Sequence, residues 1–591
     1  MASIRPRPLP YILPKGRNLL YYAGRNEAHH GRKHVDIQNL RWWGWGTLDQ
    51  SFDLEGRTAF WPGLERMLEL PRDRELRPPV TLEEINLRPT RLDDRLLNSL
   101  RKLLGEDATF TDRRTRVEHA YGKSYRDLIR LRAGYVPHPP DAVVYPADEG
   151  QVAALLAWAA DHDVAVIPFG GGSSVLGGVE PQPSDRRCIT LDLARLDSVL
   201  SVDPVSRTAR IQAGATGPEV EAQLNAQGFT LGHFPQSFEF STLGGWIVTR
   251  AAGQNSIGYG KIEHLTQAVR VVTPVGVVET RDTPATAAGP SVLGLMLGSE
   301  GTYGVLAEAT MRLHPLPEVQ DYRGLLFRTF DDGLATFRDL MQSGLHPAIV
   351  RLSDPSETAA YALMSHQHHG LRGLLDKVLE GYLGFRGYGF DDSCLMILGF
   401  DGKRDEIEDR WHRALEVCRD RRGLHLGRSI GRSWQRDRFA QPYLRDDLLD
   451  NSVLVDTLET ATTWSNLMSV YEAMIAALKS AIAATGGGPG AVLTHVSHAY
   501  PHGASLYATF LGCQTSRDPL DNQEQWRTIK RETTDAILAA GGTLSHHHGI
   551  GRDHAPWLEE EIGPAAMGAL RALKQTFDPA DIMNPGVLLQ S

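Results

Sequence analysis

The sequence predicts an α+β protein with a two-domain body behind an N-terminal extension, on three observations. A strand–helix–strand run from Val143 leads straight into a glycine loop, Pro168–Ser174, that reads P-F-G-G-G-S-S. Short strands in antiparallel-looking pairs follow as far as about Pro317. From about Glu318, strand candidates alternate again with long amphipathic helices.

Residues 1–135 form the extension, polar, partly helical and rich in Arg, Trp and Pro. Within it Arg41–Gly46 (R-W-W-G-W-G) is an aromatic cluster expected to pack the extension onto the body, and Leu92–Leu104 has helical apolar spacing. Residues 136–317 form the first domain. Its expected strands are Val143–Pro146, Val164–Pro168 and Cys188–Leu193, with an alanine-rich helix at Asp148–Asp161. Val199–Asp203 with Thr208–Ala213 reads as an antiparallel pair, Glu219–Gln227 as a helix, and Val269–Thr273 with Gly276–Glu279 as a hairpin. Residues 318–540 form the second domain. Its strands are expected at Leu325–Arg328, Ala348–Leu352, Cys394–Phe400, Ala491–Val496 and Tyr507–Gly512, its helices at Asp405–Arg421, Thr463–Thr485 and Asn522–Ala540. Residues 541–591 close the chain with a histidine motif and a turn-rich tail.

Composition narrows the function. The 591 residues are 41% hydrophobic and 23% charged, an ordinary globular balance. A net charge of -10 argues against nucleic-acid binding, which needs a basic surface, and leaves room for a local basic pocket. The four cysteines, Cys188, Cys394, Cys418 and Cys513, form no C-x-x-C pair, which fits a reducing, cytoplasmic setting. Met1–Lys15 lacks the apolar core of a signal peptide. No run reads as the roughly 18 apolar residues of a membrane span. Peripheral membrane contact and a homodimer stay open.

The glycine loop carries the first chemistry. Three adjacent residues without Cβ let backbone N–H groups close around an anion, with Ser173 and Ser174 adding hydroxyls. A P-loop would need Lys followed by Ser or Thr after the last glycine, and a dinucleotide fingerprint would open into a helix that Pro181 and Pro183 discourage. Thr242–Gly245 (T-L-G-G), Thr249–Gly260 (T-R-A-A-G-Q-N-S-I-G-Y-G) and Gly298–Val305 (G-S-E-G-T-Y-G-V) are further small-residue segments able to approach an extended nucleotide.

In order and spacing, these segments from Val136 to Pro317 resemble the FAD-binding domain of vanillyl-alcohol-oxidase-type flavoproteins. The resemblance implies a two-lobed FAD-binding domain with an α+β cap domain for the substrate. It implies pyrophosphate on Pro168, Phe169, Gly170, Gly171, Gly172, Ser173 and Ser174. Gln236, Ser241, Thr242, Gly245, Thr249, Arg250, Ala251, Ala252, Glu300, Gly301, Gly304 and Val305 would line the cofactor. Some relatives attach FAD covalently through a histidine beside the loop; Ser173 and Ser174 stand there, so non-covalent FAD is expected.

The C-terminal half is more selective. Ser545–Gly551 reads S-H-H-H-G-I-G, and imidazoles titrate near physiological pH. With R-W-W-G-W-G, Phe238–Trp246, Leu444–Asp446, Leu458–Trp464 and Gly503–Tyr507, this motif resembles the alkyldihydroxyacetone phosphate synthase family over nearly the whole chain. The resemblance implies exchange of an acyl chain for a fatty alcohol on a lipid phosphate, through a flavin N5 adduct and without net redox. It implies Tyr507 as proton donor and acceptor, its pKa pulled towards neutral by cations. It implies Arg445 on the substrate phosphate, Arg351 near the flavin, His546, His547 and His548 completing the site, and no metal. Pro355 departs from the family's usual Asn, and Ala251–Gly260 follows the general oxidase pattern.

The rival reading is an FAD-dependent D-2-hydroxy-acid dehydrogenase or oxidase of the lactate or glycolate type. Such relatives place a metal-binding carboxylate where His547 stands, and a G-D-G-N core that Thr494–Tyr507 lacks. His495, His498 and His502 suggest a three-histidine zinc site, but strand alternation would point His495 and His498 to opposite faces. A non-catalytic flavin or lipid carrier would leave Tyr507, Arg445 and the triplet unexplained.

Overall fold

The computed structural model describes residues 39–71, 74–364, 384, 386–389 and 392–590; the Met1–Lys15 start lies outside them. The first lobe is built on β1 (Thr109–Phe110), β2 (Ala142–Val144), β3 (Val164–Phe169) and β4 (Arg187–Asp192) in the order β1-β2-β4-β3. β2, β4 and β3 run parallel, with the helix Glu149–Asp161 crossing between β2 and β3. The next strands are β5 (Val199–Asp203), β6 (Thr208–Gln212), β7 (Phe229–Thr230), β8 (Thr266–Thr273), β9 (Gly276–Glu279), β10 (Val305–Arg312) and β11 (His314–Pro315). Five make the second lobe, an antiparallel sheet of order β5-β6-β10-β8-β9, and β7 pairs with β11.

The cap is one antiparallel sheet of seven strands. They are β12 (Val319–Phe327), β13 (Ile349–Ser353), β14 (Cys394–Gly402), β15 (Leu424–Gly427), β16 (Val453–Thr463), β17 (Ala491–Tyr500) and β18 (Gly503–Cys513). Their order is β15-β12-β14-β13-β17-β18-β16. The α+β reading holds. The helix expected from Thr463 instead starts at Leu467, because V-L-V-D-T-L-E-T-A-T-T is rich in β-branched residues and pairs along its whole length with β18.

The helix Leu467–Ala484 also corrects the expectation that no span-like run occurs: it is long and apolar enough to cross a membrane by length and composition. Here Leu467, Val470, Met474, Leu478, Ala481 and Ile482, spaced three and four apart, pack into the cap core beside the helix Pro519–Ala539.

The N-terminal segment is part of the body. Asp93 caps the helix Asp94–Leu104, its carboxylate accepting Leu96 N–H at 2.9 Å, and Leu96, Leu97, Leu100 and Leu104 enter the core shared by both flavin lobes. Such a cap stabilises by about 1 kcal/mol, and each fully buried leucine by about 1.5–3 kcal/mol. Gly105, at φ 108°, ends the helix. Trp42, Tyr121, Tyr125 and Leu128 join the cap core instead. The tail returns to the first lobe, where Ile582 and Met583 lie in its core.

Candidate active site

The sheet register assembles the site. β18 lies between β16 and β17, and its Tyr507 stands opposite Glu459 on one side and His495 on the other. His495 in turn faces Ser353 of β13. Directly opposed residues share a face of an antiparallel sheet, so this row looks one way, towards the flavin lobes. Between the sheet and the lobes lies a cavity of about 1280 Å³, larger than the roughly 300–1,000 Å³ of ordinary ligand pockets.

The lobe side of the cavity holds most of the expected cofactor residues. Pro168 through Ser174, Gln236, Ser241, Thr242, Gly245, Thr249, Ala251, Ala252, Glu300, Gly301 and Gly304 all line it. Among the described residues, no protein acceptor takes the N–H groups of Gly171, Gly172, Ser173 or Ser174. These free donors on a cavity wall fit a pyrophosphate. Gly171 is required because a Cβ there would lie 1.7 Å from the Phe240 carbonyl oxygen.

Two expected cofactor residues lie off the cavity wall. Arg250 is exposed, and its guanidinium donates to the carbonyls of Leu297 and Gly294, outside the cavity. Val305 begins β10 facing the core, while its neighbours Gly304 and Leu306 face the cavity, as strand alternation demands.

The histidine segment is clamped from both sides. From the cap, Glu459 accepts Ser545 O–H at 2.6 Å and the N–H groups of His546, His547 and His548 at 2.8, 3.1 and 3.0 Å. From the lobes, Glu300 accepts Ile550 N–H at 2.6 Å and Gly551 N–H at 2.8 Å, and Lys261 donates to the His546 carbonyl at 2.7 Å. Burial works against the charge on Glu459, but His547 beside it, through its charge and a hydrogen bond, holds the carboxyl well below the usual range. Burial lowers His546 well below its ordinary value and His548 to about 3, so both rings are neutral at neutral pH.

Only part of the triplet faces the cavity. His547 and His548 line it. His546 turns behind them, its Nε2 2.8 Å from Tyr500 Oη and its Nδ1 3.1 Å from His547 Nδ1, so it corrects the expectation of a third reacting imidazole. Glu459, His546 and His547 place ligand-type atoms within 4.8 Å of one another, yet both Glu459 oxygens already accept N–H bonds.

Tyr507 lies in a box of imidazoles, its ring 4.9 Å from His495, 5.5 Å from His548 and 6.0 Å from His547. Burial pushes its pKa up to about 12, with Thr457 and Arg445 opposing the rise. Against the expected pull towards neutral, desolvation here outweighs Arg445, and the phenol starts protonated. Arg351 is fixed by Glu357 at 3.0 Å, Ser353 Oγ at 3.0 Å and His495 Nδ1 at 3.0 Å.

His498 reaches the same wall because the chain bulges between Ser497 and Tyr500, with φ 44° at His498. The bulge overrides the alternation that would have put it opposite to His495. His502 sits exposed in the following turn against Tyr500, so His495, His498 and His502 are not assembled as a zinc site.

At another part of the wall, Arg445 donates to the Lys123 carbonyl at 2.6 Å, and its Nε has no partner among the described residues. Lys123 N–H donates to the Ser174 carbonyl at 2.7 Å, and burial lowers its ammonium to about 8. The R-W-W-G-W-G segment braces this corner as expected. Asp446 accepts from Arg41 at 3.0 Å and from Trp45 N–H at 3.1 Å, and a Cβ at Gly44 would strike its carboxylate at 2.4 Å. Sequence reasoning missed Lys123, which sits in no motif. It also missed the role of Glu459, whose one signal was a lone carboxylate on the strand L-E-T-A-T-T.

Comparison with known proteins defines the class first. Residues 140–281 match the family model "FAD binding domain", and residues 316–588 match "FAD linked oxidases, C-terminal domain". Fold and site therefore define an FAD-dependent enzyme of the two-lobed, vanillyl-alcohol-oxidase-type architecture; p-cresol methylhydroxylase shares the fold at TM-score 0.61 and 16% identity. The alkyldihydroxyacetonephosphate synthases of Dictyostelium discoideum and Trypanosoma brucei brucei are each 33% identical to this chain, cover 94% of it, and are themselves covered over 95% and 93%. A solved alkyldihydroxyacetonephosphate synthase superposes at TM-score 0.80 and 31% identity, over 94% of this chain and 99% of that one. The chain belongs to the alkyldihydroxyacetonephosphate synthase family.

Proposed function

We propose that the enzyme exchanges the acyl chain of acyl-dihydroxyacetone phosphate for a fatty alcohol, with FAD held non-covalently. The observation that carries this reading is the half-buried Tyr507 phenol among His495, His547 and His548, with the Arg445–Lys123 corner on the same cavity. Arg445 and Lys123 bind the phosphate, the guanidinium fork matching its oxygens. Leu326, Ile349, Leu395, Ile397 and Ile430 of the cap wall take the alkyl chains. When bound, FAD supplies a nucleophilic ring nitrogen to a reaction with no net redox change. Tyr507 passes its phenol proton to His547 as it takes up the proton that the substrate carbon loses, and the reverse transfers return a proton to that carbon; Glu459 anchors and orients His547. A cytoplasmic setting agrees with four unpaired cysteines.

An anaerobic flavin spectrum tests the reading against its rival. D- or L-2-hydroxy acids should leave the yellow band intact, while acyl-dihydroxyacetone phosphate with a fatty alcohol yields an ether. Bleaching by a 2-hydroxy acid, with no ether formed, would move the enzyme to the dehydrogenase class.

A further inference from the structure

A second guanidinium on the cavity wall remains unexplained. Arg438 lines the cavity and is 8% exposed. Among the described residues, no carboxylate lies within ion-pair distance of it; Asp401 and Glu221 feel its charge only through space. Its Nη1 donates to Asn255 Oδ1 at 3.1 Å, and its Nε has no partner. Three aromatic rings hold the group in place, with centroids 4.7 Å (Phe439), 4.8 Å (Phe234) and 5.9 Å (Trp434) away. Its backbone is pinned too, since Gln236 and Gln254 of the flavin lobe donate to its carbonyl at 2.6 and 3.3 Å. A buried cation set in a fixed plane, facing a cavity and lacking an ion-pair partner, is matched to an anionic ligand.

We propose that Arg438 is a carboxylate subsite that holds the acid released from the substrate ester. The inference rests on the exchange reaction proposed above. There, the bond between the dihydroxyacetone carbon and the ester oxygen breaks, the oxygen keeps both electrons, and the acid departs as a carboxylate. The alcohol oxygen then bonds to that carbon and gives up its proton. The products are therefore an ether, a carboxylate anion and a proton, and the cavity must accommodate two anions. Arg445 with Lys123 serves the phosphate, Arg351 is already paired with Glu357, and Arg438 serves the carboxylate. Its aromatic surroundings suit an anion carrying an alkyl chain.

The test titrates the FAD-loaded full chain with decanoate, and with decanol as the uncharged control, by calorimetry. Losing one charge-assisted fork should weaken decanoate binding about ten-fold or more in Arg438→Met, with decanol binding, FAD content and melting temperature unchanged. Arg438→Lys, which keeps the charge and packs conservatively, should fall between the two. Decanoate binding equal to wild type in Arg438→Met would overturn the proposal. So would loss of FAD in both variants, which would make Arg438 a cofactor or interlobe residue. One arm separates this inference from the reading beneath it. If short 2-hydroxy acids bind, bleach the flavin and lose affinity in Arg438→Met, the exchange reaction falls and the carboxylate subsite stands.

Discussion

At the scale of single residues, the site works by controlled desolvation. Tyr507 is a neutral phenol at neutral pH, as any tyrosine is, burial pushes its pKa further up to about 12, and it acts through neighbours that accept or return its proton. Tyr507→Phe should therefore cut exchange by about 10²–10⁴-fold while the protein stays yellow, read as product formation per bound flavin. Glu459 acts through the segment it holds. Glu459→Gln keeps an acceptor and should lower kcat while leaving KM nearly constant, with a shifted pH profile. Glu459→Ala removes the anchor of three N–H groups and should lose far more. Equal effects of the two substitutions would reduce Glu459 to a packing role. Buried imidazoles also set the acid limit of stability. Burial lowers His233, whose ring nitrogens have no hydrogen-bond partner among the described residues, to about 3. A depressed folded-state pKa means that its contribution is intact above the unfolded pKa near 6.5 and is lost as pH falls below it. At pH 5 this costs about 2 kcal/mol for one such histidine. His233→Gln should flatten the fall in melting temperature between pH 6.5 and 5; an unchanged slope would contradict this.

At the scale of elements, what was legible in the sequence was local. The glycine loop, the β5–β6 and β8–β9 pairs and the alanine-rich crossover helix follow from periodicity and turn residues, which depend on near neighbours. The row Glu459–Tyr507–His495 could not be read because it depends on pairing among three strands whose register is set by the whole sheet. The bulge at His498 reverses a side chain that alternation assigns to the far face, and the edge strand β16 hid behind the apolar helix that follows it. Lys123 and Arg438 escaped notice for another reason: an arginine or lysine means little until burial and lack of an anion are seen. The glycine loop offers the test at this scale. Gly171→Ala drives a methyl into the Phe240 carbonyl and should displace the loop, so purified protein should carry less than about a tenth of the wild-type flavin. Full flavin content would mean that the loop yields without losing the pyrophosphate nest.

At the scale of the whole molecule, the flavin lobes and the cap meet across a shared cavity. The lobes present the cofactor cradle, the cap presents the Tyr507 row, and the segment Ser545–Gly551 is gripped by Glu459 of the cap and Glu300 of the lobes. Arg41 of the N-terminal segment pairs with Asp446 at 3.0 Å and so braces the Arg445 corner, and Arg41→Ala should raise KM for the phosphorylated substrate more than it lowers kcat. The most direct measurement of the central claim is a mass balance on the purified flavoenzyme given acyl-dihydroxyacetone phosphate and an isotopically labelled fatty alcohol. One labelled ether should form for each fatty acid released, with the flavin oxidised at the start and at the end. Acid release without ether, or ether formation unchanged by Tyr507→Phe, would contradict it.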